Sequence, residues 1–481
     1  MEKTALSQKS KNKIPPNSEH MKRYLKTSHI VFLIIACAAP LASMLGNVSV
    51  GVLLGNGPGL PIAYIIAGAI LMCFTIGFSA LTVEVKGEGG FYTYINTILG
   101  KKVGMASAFV ALFSYSSLTS AVGAAAGYFT DITVSPYGIH LGWQLWTLIY
   151  FILVSLLGRK SADIGARGVI IIVMVEFIIL TILDATIGIH KTTNALPTEI
   201  FAHQYMFSAG LGIAVMIGFT SFIGFETAVL YSEEAVDPDK TIPRSLILGV
   251  SSIAIFYFLT SWFIVGGAGV DKIMSMAHKM EGELVVNIIK QYCGDTFGTL
   301  TSFMFCSSIV AGYLSLHNAT TRYFYIISKD GGVPSYFSHL SGESKTPVRA
   351  STLTSIIVAA FIMVPVLKGD NSFMEIYPST TALATLGIVV LQAIVAISVF
   401  VYFRKKGDKR LFRTFITPLI SVVGLCISDY LIVSNYSILT GSTSMLVNST
   451  PLLLVVLFIF GCYHGRKRKK NTNRLEVSYE G

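Results

Sequence analysis

Apolar runs of about 20 residues, separated by short polar links, recur along nearly all of the 481 residues. A run of that length crosses the hydrocarbon of a bilayer as an α-helix. Lipid offers no water to pair with peptide groups, so only helices and closed barrels span it. A barrel would read as short alternating segments, which this chain does not show. The class that follows is an all-α polytopic membrane protein. Charged residues are 13% of the chain, about half the ~25% of a soluble domain. Twelve transmembrane helices are expected, at roughly 29–54, 60–83, 103–128, 142–158, 166–188, 207–231, 245–267, 298–327, 350–367, 374–402, 412–434 and 450–463.

Orientation follows from charge. With the N-terminus in the cytosol, 31 of the 36 Lys and Arg fall on the inside. The outside holds only Lys191, Lys272, Lys279, Lys290 and Lys368. By the positive-inside rule both termini are expected in the cytosol, with the chain in the cytoplasmic membrane. This bias accounts for the net charge of +10 without a nucleic-acid partner. The basic run Arg466 to Lys470 suits a stop-transfer role or contact with anionic membrane lipids. The segment Met1 to Thr27 is polar and basic with no cleavage site, so the first span is expected to direct insertion. Six cysteines have no metal-ligand spacing, and neither disulfides nor a metal or other cofactor is expected.

Two spans read as interrupted. The sixth contains Met216 to Leu230, MIGFTSFIGFETAVL, with Gly218, Gly224, Thr220, Ser221 and Glu226 in its interior. Glycine costs about 1 kcal/mol against alanine in a helix, and a carboxylate in lipid needs a partner or a watery cavity. Either the helix breaks there and offers backbone to a ligand, or Gly224 packs a helix and a neighbour holds Glu226. In the first span Pro40 removes a backbone donor inside IACAAPLASMLG. One interrupted span opens the chain and the other opens a second set of five. Interrupted segments at corresponding places in two halves point to a secondary-transporter site, and five spans per half make the halves inverted repeats. The expected organisation is a basic tail 1–28, repeats 29–188 and 207–402, accessory helices 412–463, and a basic tail 464–481.

The stretches GEGGFYTYI (87–95), SFIGFETAVLYSEEAVDPDKTIPRS (221–245) and HNATTRYFYIISKDGGVP (317–334) together resemble the amino acid–polyamine–organocation permeases. The likeness covers essentially the whole chain. Many members carry a Gly-Ser-Gly type break in the first span, where Ala38 to Ala42 stand here, as in the bacterial subgroup with an APLA first span. The resemblance implies a LeuT-like five-plus-five inverted repeat with helices 1 and 6 broken. It also implies a substrate held between spans one, three, six, eight and ten. The implied activity is alternating-access transport of an amino acid or related amine, not enzymatic chemistry. The scattered histidines and the lack of a phosphate loop agree with that.

A broken helix offers N–H donors at one half-helix and carbonyl acceptors at the other, matching the two charged groups of an amino acid. The backbone candidates are Ala39, Pro40, Leu41, Ala42 and Ser43 in the first span, and Phe222, Ile223, Gly224 and Phe225 in the sixth. Tyr115, Ser116 and Asn318 are candidates for the pocket wall, with Asn318 reaching across to the first span. Phe225 is either an aromatic lid or core. Glu176 at the centre of span five and Glu226 are candidates for proton coupling or gating, each weighed against a structural pairing. Arg322 is expected to pair with Glu84 or Glu88 at the inner surface, and Asp184 to be solvated near the outer one. No cluster of oxygen ligands for sodium is legible, which favours proton coupling or exchange. The apolar Phe219, Phe222 and Phe225 suit a neutral or aromatic amino acid, whereas a polyamine would use Glu226 or Glu176 as counter-charges.

Overall fold

A computed structural model describes residues 25–85, 90–159, 166–232, 235–341, 346–367, 373–440 and 445–479. Glu88 and most of the N-terminal tail lie outside the described residues. The first span is a pair of half-helices, α1 (Thr27–Ala38) and α2 (Pro40–Ala42), the latter running through a π-turn (Ser43–Asn47) into α3 (Val48–Leu54). Then come α4 (Leu60–Glu84), a short α5 (Gly90–Leu99), α6 (Lys101–Val134), α7 (Trp143–Leu157) and α8 (Ala166–Lys191). A short α9 (His203–Met206) precedes α10 (Leu211–Phe222), which ends at a break and resumes as a 3-10 helix (Phe225–Tyr231). The second part continues with α11 (Pro238–Ala268), α12 (Ile273–Met280), α13 (Leu284–Cys293), α14 (Asp295–Lys329), α15 (Val348–Leu367) and α16 (Phe373–Lys406). It closes with α17 (Thr417–Ser434), α18 (Tyr436–Thr440), α19 (Met445–Asn448) and α20 (Leu452–Tyr479).

Among the described residues, nine helical segments are long and apolar enough to cross a membrane. Three shorter apolar helices, Trp143–Leu157, Val348–Met363 and Leu452–Arg466, fall where the fourth, ninth and twelfth spans are expected. The chain is an all-α polytopic membrane protein. Its outward faces are apolar. Leu145, Leu148, Ile152 and Leu156 are exposed along one face of α7, and Ile171, Met174, Ile178 and Ile182 along one face of α8. Spacing of three to four residues puts each set on one helical stripe, and lipid is the solvent that accepts such a stripe. The polar residues turn inward instead: Ser107, Ser114, Ser116, Ser117, Thr119 and Ser120 of α6 are all buried.

Two groups of helices frame the interior. In one, α4 packs on α10 and α11, and α1 packs on α11, α8 and the 3-10 helix. In the other, α6 packs on α7, α14, α16 and α20. A backbone bond from Val236 N–H to the Leu25 carbonyl (3.0 Å) ties the start of the first span to the end of the sixth. The amphipathic pair α12 and α13, unforeseen in the sequence, caps one end of the bundle. It buries Ile273, Ala277, Leu284, Val285, Ile288 and Ile289 against it.

Small residues let α4 sit close to its neighbours. A methyl group added at Gly68 would meet the Ala254 Cβ at 2.9 Å, and one at Gly218 the Ala67 Cβ at 3.0 Å. Overpacking such a seam costs about 1–3 kcal/mol. Gly68→Val is therefore expected to lower the melting midpoint of the detergent-purified protein, measured by tryptophan fluorescence. An unchanged midpoint would mean the α4–α11 seam yields freely.

Candidate functional site

The first break is set by Ala39, whose backbone is left-handed (φ 43°, ψ 74°). For a residue other than glycine this costs roughly 1–2 kcal/mol, so the surroundings must hold it there. They do so through the peptide groups the break releases. The Ala38 carbonyl accepts from Ser43 Oγ (2.8 Å) and from Tyr257 OH (2.9 Å) on α11. Pro40 has no N–H to satisfy and is well suited to start a helix. The next amide, Leu41 N–H, donates to Glu176 Oε2 of α8 at 3.2 Å. Glu176 is thus held at the N-terminal end of the second half-helix, 2% exposed.

The second break has the same logic. Gly224 adopts φ 112°, open to glycine but not to side-chain-bearing residues. Its N–H donates to Glu226 Oε2 at 3.0 Å, and its carbonyl accepts from Thr227 N–H (3.0 Å) and Thr227 Oγ1 (2.6 Å). Glu226, also 2% exposed, takes a second bond on Oε1 from Tyr115 OH of α6. Tyr115 stacks on Tyr323 of α14 at 4.9 Å. The two breaks face each other. A Cβ built on Gly224 would lie 2.7 Å from the Cys37 Cβ, and Thr227 Oγ1 donates to Cys37 Sγ at 3.3 Å. Cys37, Ala39, Ala42 and Thr227 keep partial exposure although they sit midway along their spans.

Beside the breaks runs a network of uncharged polar groups. Asn47 Nδ2 donates to Ser221 Oγ (2.9 Å), and Tyr377 OH donates to Asn47 Oδ1 (3.0 Å). Tyr64 OH lies 3.4 Å from Ser221 Oγ, and Thr220 Oγ1 lies 2.7 Å from Thr385 Oγ1. These bonds join the first, second, sixth and tenth spans. The Ser116 hydroxyl of α6 is buried without a hydrogen-bond partner among the described residues, and the Ser308 hydroxyl of α14 lies within hydrogen-bond reach of the Glu176 carboxyl. A cleft of about 90 Å³ opens among α6, α13 and α14, lined by Tyr137, Glu283, Lys290 and Ser302. Its floor pairs Phe129 with Phe305 (4.6 Å between rings), and Gly46, just past the first break, packs beneath them.

The backbone candidates from Ala39 to Ser43 and Phe222 to Phe225 thus sit at the breaks, with Glu176, Glu226 and Tyr115 on them. Three expectations need correction, and the alternative left open for Phe225 is resolved. Glu84 does not pair with Arg322; its Oε2 accepts from Lys406 Nζ at 2.6 Å, because α4 and α16 end side by side. Arg322 lies farther back along α14, half-buried, with no ion pair among the described residues. Asn318 makes no hydrogen bond to the first span among the described residues. Asp184 is not simply solvated, since Oδ2 accepts from Thr260 at 2.7 Å and Oδ1 is buried. Phe225 is core, fully buried and edge-on to Phe74 at 6.0 Å, within a cluster that includes Phe78 and Phe91. Sequence reasoning missed Asn47, Tyr257 and Tyr377. A lone Asn in an apolar run was the available signal; the tyrosines carried none.

Gly224→Ala brings both a clash with Cys37 and a backbone angle alanine resists. We expect this variant to reach the membrane at ordinary levels yet lose transport, read by uptake into vesicles matched for protein content. Full uptake would mean the second break is not needed in this form.

The amino acid permease family model matches residues 25–462. The chain is 26% identical to a branched-chain amino acid permease of Bacillus subtilis, over 86% of this chain and 88% of that one. It is 22% identical to a methylthioribose transporter of the same organism, over 78% and 80%. It is 21% identical to the human cystine/glutamate transporter, over 75% and 71%. With its broken first and sixth spans and a match along nearly its full length, the chain belongs to the amino acid permease family of the amino acid–polyamine–organocation superfamily, and is a transporter rather than an enzyme.

Proposed function

We propose that the protein is a secondary active transporter that moves an amino acid or a related amine across the cytoplasmic membrane by alternating access, coupled to protons or to exchange. The observation that carries this reading is the pair of facing breaks, each with a buried carboxylate bonded to one of its amides. A helix broken at mid-depth leaves peptide dipoles that bind a small charged ligand with no charged side chain of opposite sign. The family's relatives transport amino acids and one transports a sugar derivative, which suits a shared frame with an exchangeable pocket.

Alternation needs one helix group to move against another. The group around α4, α10 and α11 carries both breaks and is tied internally by the Leu25–Val236 bond. It would rock against the group around α6, α14 and α16, making and releasing Tyr115–Glu226 and Glu84–Lys406 across the boundary. Coupling to protons would run through Glu176. A carboxylate holds the Leu41 amide strongly and a neutral carboxyl weakly, so a proton on Glu176 loosens the first break. The Lys and Arg asymmetry supports an orientation with both ends cytosolic.

Glu176→Gln keeps the shape and removes the charge. In proteoliposomes it is expected to abolish accumulation driven by an imposed pH gradient while sparing counterflow exchange. If both activities persist, Glu176 is structural and protons couple elsewhere; accumulation driven by sodium alone would overturn proton coupling altogether.

A further inference from the structure

α8 carries two acids inside its apolar run, Glu176 and Asp184. They stand eight residues apart, about 12 Å along the helix at 1.5 Å per residue. An acid at such depth needs a partner, and residues of this kind mark proton relays in pumps and transporters. Glu176 has the Leu41 amide at 3.2 Å and lies within hydrogen-bond reach of Ser308. Asp184 has less. Its Oδ2 accepts from Thr260 Oγ1 of α11 at 2.7 Å, and its Oδ1 is buried with no hydrogen-bond partner among the described residues. One neutral hydroxyl does not balance a buried carboxylate.

The seam between α8 and α11 sets the surroundings. Phe177 packs on Phe256 on the inner side of Asp184, with 4.2 Å between rings, and Gly188 faces Phe263 on the outer side. A helical side chain covers the turn before its own Cα, so Gly188 leaves Asp184 uncovered towards the Lys191 end of α8, the outer end by the charge bias. On α11, Tyr257 precedes Thr260 by three residues, which makes them neighbours on one face. Tyr257 OH and Ser43 Oγ both donate to the Ala38 carbonyl, at 2.9 and 2.8 Å, and Tyr257 lies within electrostatic reach of Glu176. The other titratable groups facing α8 here are engaged elsewhere. Cys293 Sγ of α13 lies 3.2 Å from Thr186 Oγ1, Tyr292 OH donates to the Gly267 carbonyl at 2.8 Å, and His190 Nδ1 lies 2.8 Å from the Thr186 carbonyl. Arg322 of α14 acts on Cys37 of α1, and Lys191 ends α8. Among the described residues neither acid of α8 forms an ion pair.

We propose that Asp184 is a second proton-carrying acid, which takes a proton from the outer side and passes it along the α8–α11 seam to Glu176. The proposal rests on the proton-coupled reading above and deepens it. Oδ1 of Asp184 takes the proton while Thr260 keeps Oδ2. On transfer Asp184 returns to carboxylate and Glu176 becomes neutral, and the hold of Glu176 on the Leu41 amide weakens. A separation of about 12 Å exceeds one hydrogen bond, so the proton moves in more than one hop, the Tyr257 hydroxyl being the one next to Glu176. Glu176 then releases the proton to the inner side and regains its bond to the amide. In this conformation the half-helices beyond the breaks offer no exposed residue from Ser43 to Val52 or from Gly212 to Phe222, and the seam is a way round them.

The test uses the full-length protein in lipid and two readouts. Infrared difference spectra between acid and alkaline pH need no substrate. They should show a titrating carboxyl band that Asp184→Asn removes, distinct from the one that Glu176→Gln removes. In proteoliposomes the probes are the standard amino acids and putrescine, each labelled. Asp184→Asn should lose accumulation driven by an acid exterior and keep counterflow, and Asp184→Glu should recover accumulation. Thr260→Val, which removes the bond between the helices and keeps the acid, should still accumulate. If Asp184→Asn accumulates like the unmodified protein, or its spectrum loses no band, or Thr260→Val fails in the same way as Asp184→Asn, then Asp184 only joins α8 to α11; this inference falls and coupling through Glu176 stands. If the unmodified protein accumulates no probe on a pH gradient, the proton reading falls and takes this inference with it.

Discussion

A peptide group set free inside lipid must find a partner or the helix will not break there. Water cannot help at that depth, and an unpaired buried donor or acceptor costs about 1–3 kcal/mol. This single demand organises the chain around its two interruptions. Ser43 and Tyr257 are committed to the Ala38 carbonyl, Glu176 to the Leu41 amide, and Thr227 and Glu226 to the two faces of Gly224. The donors and acceptors come from the first, fifth, sixth and seventh spans, so both breaks are held by tertiary structure rather than by local preference. Ala39 makes the point: alanine has no business in a left-handed conformation unless its neighbours insist on it.

The same economy separates what is fixed from what can change. Apolar stripes on α7 and α8 meet lipid and need only be greasy. The α4 seam needs small residues, because methyl-sized changes already touch the facing backbone. The facing surfaces of the two breaks need neither. They are peptide, hydroxyl and carboxyl, and those groups can serve ligands of different shape. That fits a family whose relatives carry a branched-chain amino acid in one case and methylthioribose in another.

Much of this was legible in the sequence. Pro40 and Gly224 with Glu226 marked the breaks, because proline and glycine act through the backbone itself and a carboxylate in an apolar run needs a partner or a watery cavity. The twelve apolar stretches were legible by length alone. What was hidden depended on which helices become neighbours. Glu84 finds Lys406 rather than Arg322 because α4 and α16 end together, and no spacing rule encodes that. Asp184 meets Thr260 for the same reason. The π-turn at Ser43–Asn47 also escaped notice. Nor did the sequence show that Glu176 would seat on the Leu41 amide and Glu226 on that of Gly224.

Amide hydrogen exchange, followed by mass spectrometry with and without a transported ligand, probes the two breaks together. Saturating ligand should slow exchange in peptides covering both 36–47 and 220–231, while the α12–α13 pair changes little. Slowing at only one of the two segments, or confined to the cleft around Glu283 and Lys290, would contradict a site built from both broken helices.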